Sequence, residues 1–320
     1  MWRRRAWRAT ADLWIDRSLG TRTRTGRSEQ IHVVPWSTVF RVPTDRGAVF
    51  FKAPWPLQRF EAGVSEALAK WAPSDVGVLI AVDKRRGLML FDDAGEKLRG
   101  ILKKDRDIRH WHRALPQYAE LQLRVAPHAK RLIALGAADR RAATLSRQYE
   151  RLLEESARLR VGLNDGLKPA QHRKLQALVP QVREWCDAIA SSVPDSIQHD
   201  DLHDGQVFVR DGRYRILDWG DACVSNPLYS LTIVLRSAAY TLRVKESAPE
   251  IQRLVDIYLE PFTTIATRRH LRETYAIASR LACLCRALTW AEVLARLPPV
   301  WLRRERGNSA AWLRIFLDRV

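Results

Sequence analysis

At 320 residues the chain exceeds the usual single-domain size, so its length predicts two lobes or two domains sharing a cleft. Hydrophobic residues at 46% suffice for a real core, yet no segment reaches the ~18 apolar residues of a membrane span. The net charge of +18 raises nucleic acid as a partner; against it, the arginines are spread along the whole chain, with no recognition-helix or RNA-binding signature, so a solvated arginine-rich surface is expected.

Residues 1–29 read as an arginine-rich lead-in with a short helix around Trp7 to Leu19, ending at Gly20. Met1-Trp2-Arg3-Arg4-Arg5 is basic like the start of a signal peptide. Arg8, Asp12, Asp16 and Arg17 break any apolar stretch behind it, which argues against export and for a cytoplasmic chain. Residues 30–95 change to short β-type runs at Gln30–Val34, Thr38–Val42 and Gly47–Lys52, with the turn Thr44-Asp45-Arg46-Gly47 between the last two. A helix follows over about 59–71, where Phe60, Val64, Ala67, Leu68 and Trp71 share one face and Pro73 closes it. Runs at Val76–Val82 and Leu88–Phe91 read as two further strands, and Asp92-Asp93-Ala94-Gly95 as a linker.

From 96 to 320 the pattern is mostly helical, with helices from about Asp107, near 139–158 and near 170–191, and three or four more after 227. The exception is a predicted hairpin, with Val207–Val209 and Tyr214–Leu217 flanking the turn Arg210-Asp211-Gly212-Arg213. The fold class is therefore α+β: a small β-rich N-lobe with one helix, then a larger helical C-lobe carrying one β-hairpin. Cys186, Cys223, Cys283 and Cys285 give no disulfide framework and no metal-site spacing, so four reduced, mostly buried thiols are expected.

The chemistry gathers around that hairpin. His199-Asp200-Asp201-Leu202-His203-Asp204-Gly205-Gln206 is followed by Asp218-Trp219-Gly220, which places a carboxylate, an amide oxygen five residues on, and a second carboxylate at the hairpin's mouth. Phosphoryl transfer needs such a group: one carboxylate to align the attacking hydroxyl, and an oxygen pair for the metal that bridges the phosphates. The order is that of a kinase catalytic loop and metal loop. In detail the motif resembles the aminoglycoside phosphotransferase and choline kinase branch of the kinase-like superfamily, more than the protein kinases with their His-Arg-Asp and Asp-Phe-Gly.

The resemblance spans roughly residues 30–300 and implies a bilobal, protein-kinase-like fold using ATP (or another nucleoside triphosphate) and Mg²⁺ on a small-molecule alcohol. It implies Asp201, rather than Asp200, as the catalytic carboxylate, and Asp218 with Gln206 as metal ligands. Gln206 stands where the family has Asn, so its oxygen must come from a different backbone distance. Lys52 would contact the α- and β-phosphates, paired with Glu61, or alternatively Glu66, on the following helix. Ser37 or Thr38 would donate to phosphate from a turn without glycine, and the adenine edge would meet the backbone near Leu90-Phe91-Asp92.

His199 and His203 read as loop hydrogen-bonders. Asp204 replaces a common proline, Asp221 could orient the metal loop, and Ser230 replaces an acidic anchor. The alternative is a catalytically silent nucleotide-binding module, which Gln206 motivates. From residue 250 onward, twelve arginines face seven acidic residues, which disfavours a polycationic acceptor if that region lines the acceptor pocket.

Overall fold

The computed structural model describes residues 2–320; Met1, the first residue of the basic N-terminal run, lies outside them. Its contacts divide the chain into two compact units. One holds the residues up to Arg106, with Ala134–Ala137 and Asp204–Gly220; the other holds Asp107–Ile133, Ala138–His203 and Asp221–Val320.

The first unit begins with α1 (Arg5–Ser18), then β1 (Glu29–Val34), β2 (Ser37–Thr44), β3 (Gly47–Pro54), α2 (Phe60–Trp71), β4 (Leu79–Asp83), β5 (Leu88–Asp92), β6 (Glu96–Lys97) and α3 (Leu98–Asp105). Five strands form one sheet in the order β1-β2-β3-β5-β4, antiparallel throughout. Strand alternation sorts its side chains. Phe40 and Val42 of β2, with Val49, Phe51 and Ala53 of β3, are buried in one cluster with Ala11, Ile15 and Leu19. Trp7 and Trp14 pack against the same cluster, so α1 places a stripe at helical spacing on that face of the sheet. Each such large apolar side chain contributes about 1.5–3 kcal/mol by leaving water. The arginine-rich lead-in is thus a structural layer of this unit. Lys52, between Phe51 and Ala53 on β3, belongs to the other side of the strand.

The hairpin β9 (Val207–Arg210) and β10 (Arg213–Ile216) groups with this unit, because β6 pairs with β9 in a sheet of order β10-β9-β6. Its two-residue turn, Asp211-Gly212, has φ of 52° and 72°, the paired positive angles that select Asp-Gly. Gly95 fixes the approach: at φ +95°, a Cβ there would lie 2.2 Å from the Val209 carbonyl oxygen. Among the described residues the first unit therefore carries three α-helices and the hairpin, where the sequence pattern showed two helices, around Trp7 to Leu19 and over about 59–71, and placed the hairpin with the C-lobe. The two-residue β6 is too short to leave a period in the sequence.

The second unit contains α4 (Arg109–Val125), α5 (Ala129–Ala134), β7 (Ala138–Asp139), α6 (Ala142–Glu154), α7 (Pro169–Ala177), α8 (Val179–Ile189) and β8 (Ser196–Gln198). After the hairpin come β11 (Cys223–Ser225), α9 (Leu231–Leu242), α10 (Pro249–Leu259), α11 (Arg268–Leu294), α12 (Pro299–Glu305) and α13 (Asn308–Asp318). The single helix expected over 170–191 is two, α7 and α8, with Pro180 in the first turn of the second, where a missing N–H costs nothing.

Strands β7, β11 and β8 form a small sheet in that order, with β8 leading into the loop that carries Asp201. A buried polar network anchors β8. The Gln122 amide donates to the Ile197 carbonyl at 2.8 Å, Tyr258 donates its hydroxyl to Gln122 at 2.5 Å, and Ser196 donates to the Gln122 carbonyl at 2.6 Å. Ser230 joins it through Tyr118, 3.1 Å away, so the serine in place of an acidic residue still serves as an anchor. Satisfied buried networks of this kind rigidify what they hold.

Candidate active site

In the first unit the sequence-predicted residues converge on Lys52. Its Nζ donates to Glu61 Oε1 at 2.5 Å and to Asp218 Oδ1. Glu61 is buried on α2, whereas Glu66 pairs with Lys84 at 3.0 Å and Lys70 at 3.7 Å on the surface. The structure therefore selects Glu61 as the partner of Lys52. Burial works against the lysine cation, but Asp218 and Glu61 outweigh it and hold the Lys52 pKa above its ordinary value. Lys52 stays charged throughout the physiological range.

Asp218 follows β10 in a left-handed conformation, φ 70°, and its side chain remains 45% exposed. Trp219, buried beside it, donates its indole N–H to the Ile216 carbonyl at 3.3 Å. Gly220 allows the turn to close on α2, since a Cβ there would sit 3.3 Å from Glu61 Oε2. Gln206 lies next to Asp218: its Nε2 donates to Asp218 Oδ2 at 3.1 Å, and its carbonyl accepts the Leu217 N–H at 3.0 Å. A carboxylate and an amide side by side are hard oxygen donors, so the donor set fits Mg²⁺. The amide nitrogen faces Asp218, and turning the amide over would present its oxygen instead.

Ser37 and Phe91 are built into the sheet itself. Ser37 is buried at the start of β2, opposite Val34 and Pro54, and the neighbouring Thr38 hydroxyl donates to the His32 carbonyl at 2.8 Å. Phe91 is buried on β5 between Phe50 and Leu79 and packs with Ala62 and Met89. Just beyond it, Asp92 is held at both oxygens by Arg22, at 3.0 and 3.1 Å, which ties the lead-in to the linker. Two further residues of this unit escaped the sequence reading. Arg99 donates to the buried Asp204 carboxylate at 2.5 Å, which explains how the loop accommodates an acid where proline is common. His32, exposed on β1, has its pKa lowered first by desolvation and then by Lys97, with Asp218 opposing.

In the second unit, two adjacent carboxylates diverge. Asp200 is buried in a left-handed conformation, φ 58°; Thr289 donates to its Oδ2 at 2.6 Å and Gln198 to its Oδ1 at 3.1 Å. Burial raises its pKa to about 6, and Arg286 works in the opposite direction. Asp201 keeps 28% of its side chain exposed and accepts a hydrogen bond from Arg286 Nη2 at 2.7 Å. His203 Nε2 lies 3.7 Å from Asp201 Oδ2, and its backbone N–H donates to the Asp201 carbonyl at 2.9 Å. The backbone N–H of His199 donates to the Tyr118 hydroxyl at 3.1 Å, so both histidines take part in loop hydrogen bonding.

Arg286 also donates through Nη1 to Asp221 Oδ2 at 2.6 Å. Its pKa is raised: burial opposes the charge but is outweighed by Asp201, Asp221 and Asp200. Sequence reasoning missed this residue. The available signal was a charged residue within the mostly apolar stretch Leu281–Ala291 of α11.

The four cysteines are free and buried. The structure does bring Cys223 and Cys285 within 4.8 Å of an Asp200 oxygen, a proximity their spacing did not reveal. Both thiols donate to Gln198 Oε1, at 3.3 and 3.5 Å, and Arg286 already lies 3.7 Å from Asp200. That cluster is hydrogen-bonded and beside a cation, which disfavours a bound metal.

Residues 92–274 match the phosphotransferase enzyme family. No curated protein matches the chain in sequence. Among solved structures it resembles a choline/ethanolamine kinase family protein from Mesorhizobium loti, at 16% identity and TM-score 0.62, over 97% of this chain and 95% of that one. The macrolide 2'-phosphotransferase of Brachybacterium faecium aligns at 18% identity and TM-score 0.54, over 95% and 97%. An amicoumacin kinase, solved in complex with AMP-PNP and Ca²⁺, aligns at 11% identity and TM-score 0.56, over 95% of each chain. These likenesses establish a kinase-like phosphotransferase fold.

Proposed function

The chain belongs to the phosphotransferase enzyme family, and from that premise we propose that it moves the γ-phosphate of ATP to a hydroxyl of a small molecule. The observation that carries the reading is the buried Lys52, held by Glu61 and Asp218. A buried lysine between a fully buried glutamate and a half-exposed aspartate is costly as pure structure and apt as a phosphate-binding device. Glu61 directs Lys52 toward the α- and β-phosphates. Asp218 and Gln206 would hold Mg²⁺, which when bound neutralises the charge on the phosphates. The solved amicoumacin kinase complex supports ATP and a divalent ion as the pair.

Asp201 accepts a hydrogen bond from the acceptor hydroxyl and aligns its oxygen on the γ-phosphorus. The bond from that phosphorus to the β–γ bridging oxygen breaks as the new P–O bond forms, and the hydroxyl proton passes to Asp201 late. General-base help of this kind contributes about 10²–10⁴ in rate. The buried Asp200 serves the loop's interior instead. Among the described residues no helix is long and apolar enough to cross a membrane. Four buried thiols fit a cytoplasmic setting, where ATP and Mg²⁺ are abundant.

A Mg-ATP turnover screen across alcohol-bearing acceptors, beside Asp201→Ala, tests the proposal. Transfer to at least one acceptor, reduced about 10²–10⁴-fold in Asp201→Ala, supports it. Nucleotide that raises the melting temperature with no acceptor phosphorylated would instead assign a silent nucleotide-binding module.

A further inference from the structure

We propose that Arg286 is the positioning residue for Asp201, a single guanidinium on α11 that fixes the carboxylate meeting the acceptor hydroxyl. This rests on the role given to Asp201 above. Two different nitrogens of one planar group reach two carboxylates far apart in the chain: Nη2 to Asp201 Oδ1 at 2.7 Å and Nη1 to Asp221 Oδ2 at 2.6 Å. Such a fork fixes direction as well as charge, which a lysine ammonium cannot do to the same degree.

The fork is itself immobilised. Its side chain is only 6% exposed, its guanidinium carbon lies 5.5 Å from the Trp290 ring centroid, and Asp200 stands 3.7 Å from Nη1. With Oδ1 held, the Asp201 carboxylate cannot swing about its Cβ–Cγ bond without losing a charged hydrogen bond. Asp221, three residues beyond Asp218, is tied to the same group, so one side chain braces both the loop before the hairpin and the segment after it. The position lies 85 residues beyond Asp201, on the helix that also sends Thr289 to Asp200. Reactant misplacement of about 1 Å can lower a rate about 10²-fold, which sets the scale of what Arg286 protects.

Kinetics with Mg-ATP and a working acceptor, on the full chain, read this directly. In Arg286→Met, kcat should fall about 10²-fold while KM for Mg-ATP stays within about twofold, because Lys52 and its partners remain intact. Arg286→Lys keeps the charge, loses the fork and should recover about tenfold of that loss. In an Asp201→Asn background, Arg286→Met should lower the residual rate by less than about twofold, since its effect runs through Asp201.

Unchanged kcat in Arg286→Met, no recovery in Arg286→Lys, or an undiminished loss in the Asp201→Asn background would each overturn the proposal. Should Arg286→Met fail to fold, Arg286→Lys carries the test, with a kcat below wild type at unaltered KM for Mg-ATP expected. If the wild-type chain transfers phosphate to no acceptor, the functional reading fails by itself. The positioning claim is then read from the side-chain carboxyl ¹³C resonances of Asp201 and Asp221. Both should move in Arg286→Lys, and unmoved resonances would reject it.

Discussion

Lys52 and Arg286 are both buried cations that serve carboxylates, one in each compact unit, yet they organise their surroundings in different ways. Lys52 is a point charge in the last half of β3, and its partners come from the next helix and from the turn after the hairpin. Its ammonium has no preferred plane, so Glu61 must aim it. Arg286 needs no such director, because its fork imposes its own geometry on Asp201 and Asp221. The lesson is a division of labour. On the proposed function, a mobile polyphosphate would be met by a charge that can adjust, and the Asp201 carboxylate, which would have to point one way, is held by a group that cannot.

The largest expected effect comes from removing the first cation. Lys52→Met leaves the fully buried Glu61 without its ammonium, and breaking a buried pair from one side costs about 3–5 kcal/mol. Chemical denaturation should show a loss of that size, with the stabilisation by Mg-ATP abolished. A loss under about 1 kcal/mol would mean that Glu61 is well served by its other neighbours and that the comparison with Arg286 is overdrawn.

The same contrast explains what could be read from the sequence. Lys52 and Glu61 are nine residues apart on a strand and the helix that follows, so strand alternation and helical spacing bring them within reach on paper. Asp201, Gln206 and Asp218 stand in one short motif with a hairpin between them. Arg286 lies 85 residues beyond Asp201, in a mostly apolar turn of α11 whose pattern says only that it is buried. Arg99 and Asp204 are likewise 105 residues apart. The main sheet was legible because its strands run five to eight residues, while the two- and three-residue strands β6, β7, β8 and β11 carry no period. The lead-in read as an arginine-rich segment with one short helix, and its packing on the sheet went unread because arginines dominate the composition. Its three tryptophans, Trp2, Trp7 and Trp14, were the better guide, and they pack on the sheet.

Asp200 offers the next test, from inside the Arg286 cluster. Its folded pKa of about 6 lies above the ordinary carboxylate value near 4. The folded state therefore binds the extra proton between those values, and the stability this contributes is complete below about pH 4 and lost as pH rises through about 6. Asp200→Asn should flatten that decline and raise stability at pH 8 by up to about 3 kcal/mol, given 1.4 kcal/mol per unit. Urea midpoints across pH 4–8 would show it. If the wild type shows no such decline, Arg286 already compensates all three carboxylates and the cluster is better balanced than the burial of Asp200 suggests.

Gln206→Asn shortens an amide that touches Asp218 in the Lys52 cluster. With the oxygen of the shorter side chain nearer the backbone, the Mg²⁺ dependence of turnover should sharpen, with a rate increase of a few-fold on the order of 0.5–1 kcal/mol. An equal or lower rate with weaker Mg²⁺ dependence would show that the longer amide is matched to this hairpin, and that the Lys52 side of the molecule tolerates less variation than the Arg286 side.

The smallest effect is the control that isolates burial as the deciding variable. Glu66 lies five residues after Glu61 on the same helix, carries the same carboxylate and also pairs with lysines, Lys84 and Lys70. Those lysines are exposed, so each pair trades hydration for little gain and is screened by salt. The Lys84 hydrogen bond, followed by burial acting in the opposite sense, leaves the Glu66 pKa below its usual value. That shift belongs to a partly exposed group paired with exposed lysines and converts to little stability. Glu66→Ala should therefore cost less than about 1 kcal/mol, with the deficit shrinking as salt is raised, and should leave Mg-ATP binding unchanged. Glu61→Ala, by contrast, should weaken nucleotide binding at any ionic strength, because the lysine it releases is the one inside the fold. Equal losses from the two substitutions would remove burial as the reason for assigning nucleotide binding to Lys52 and not to Lys84.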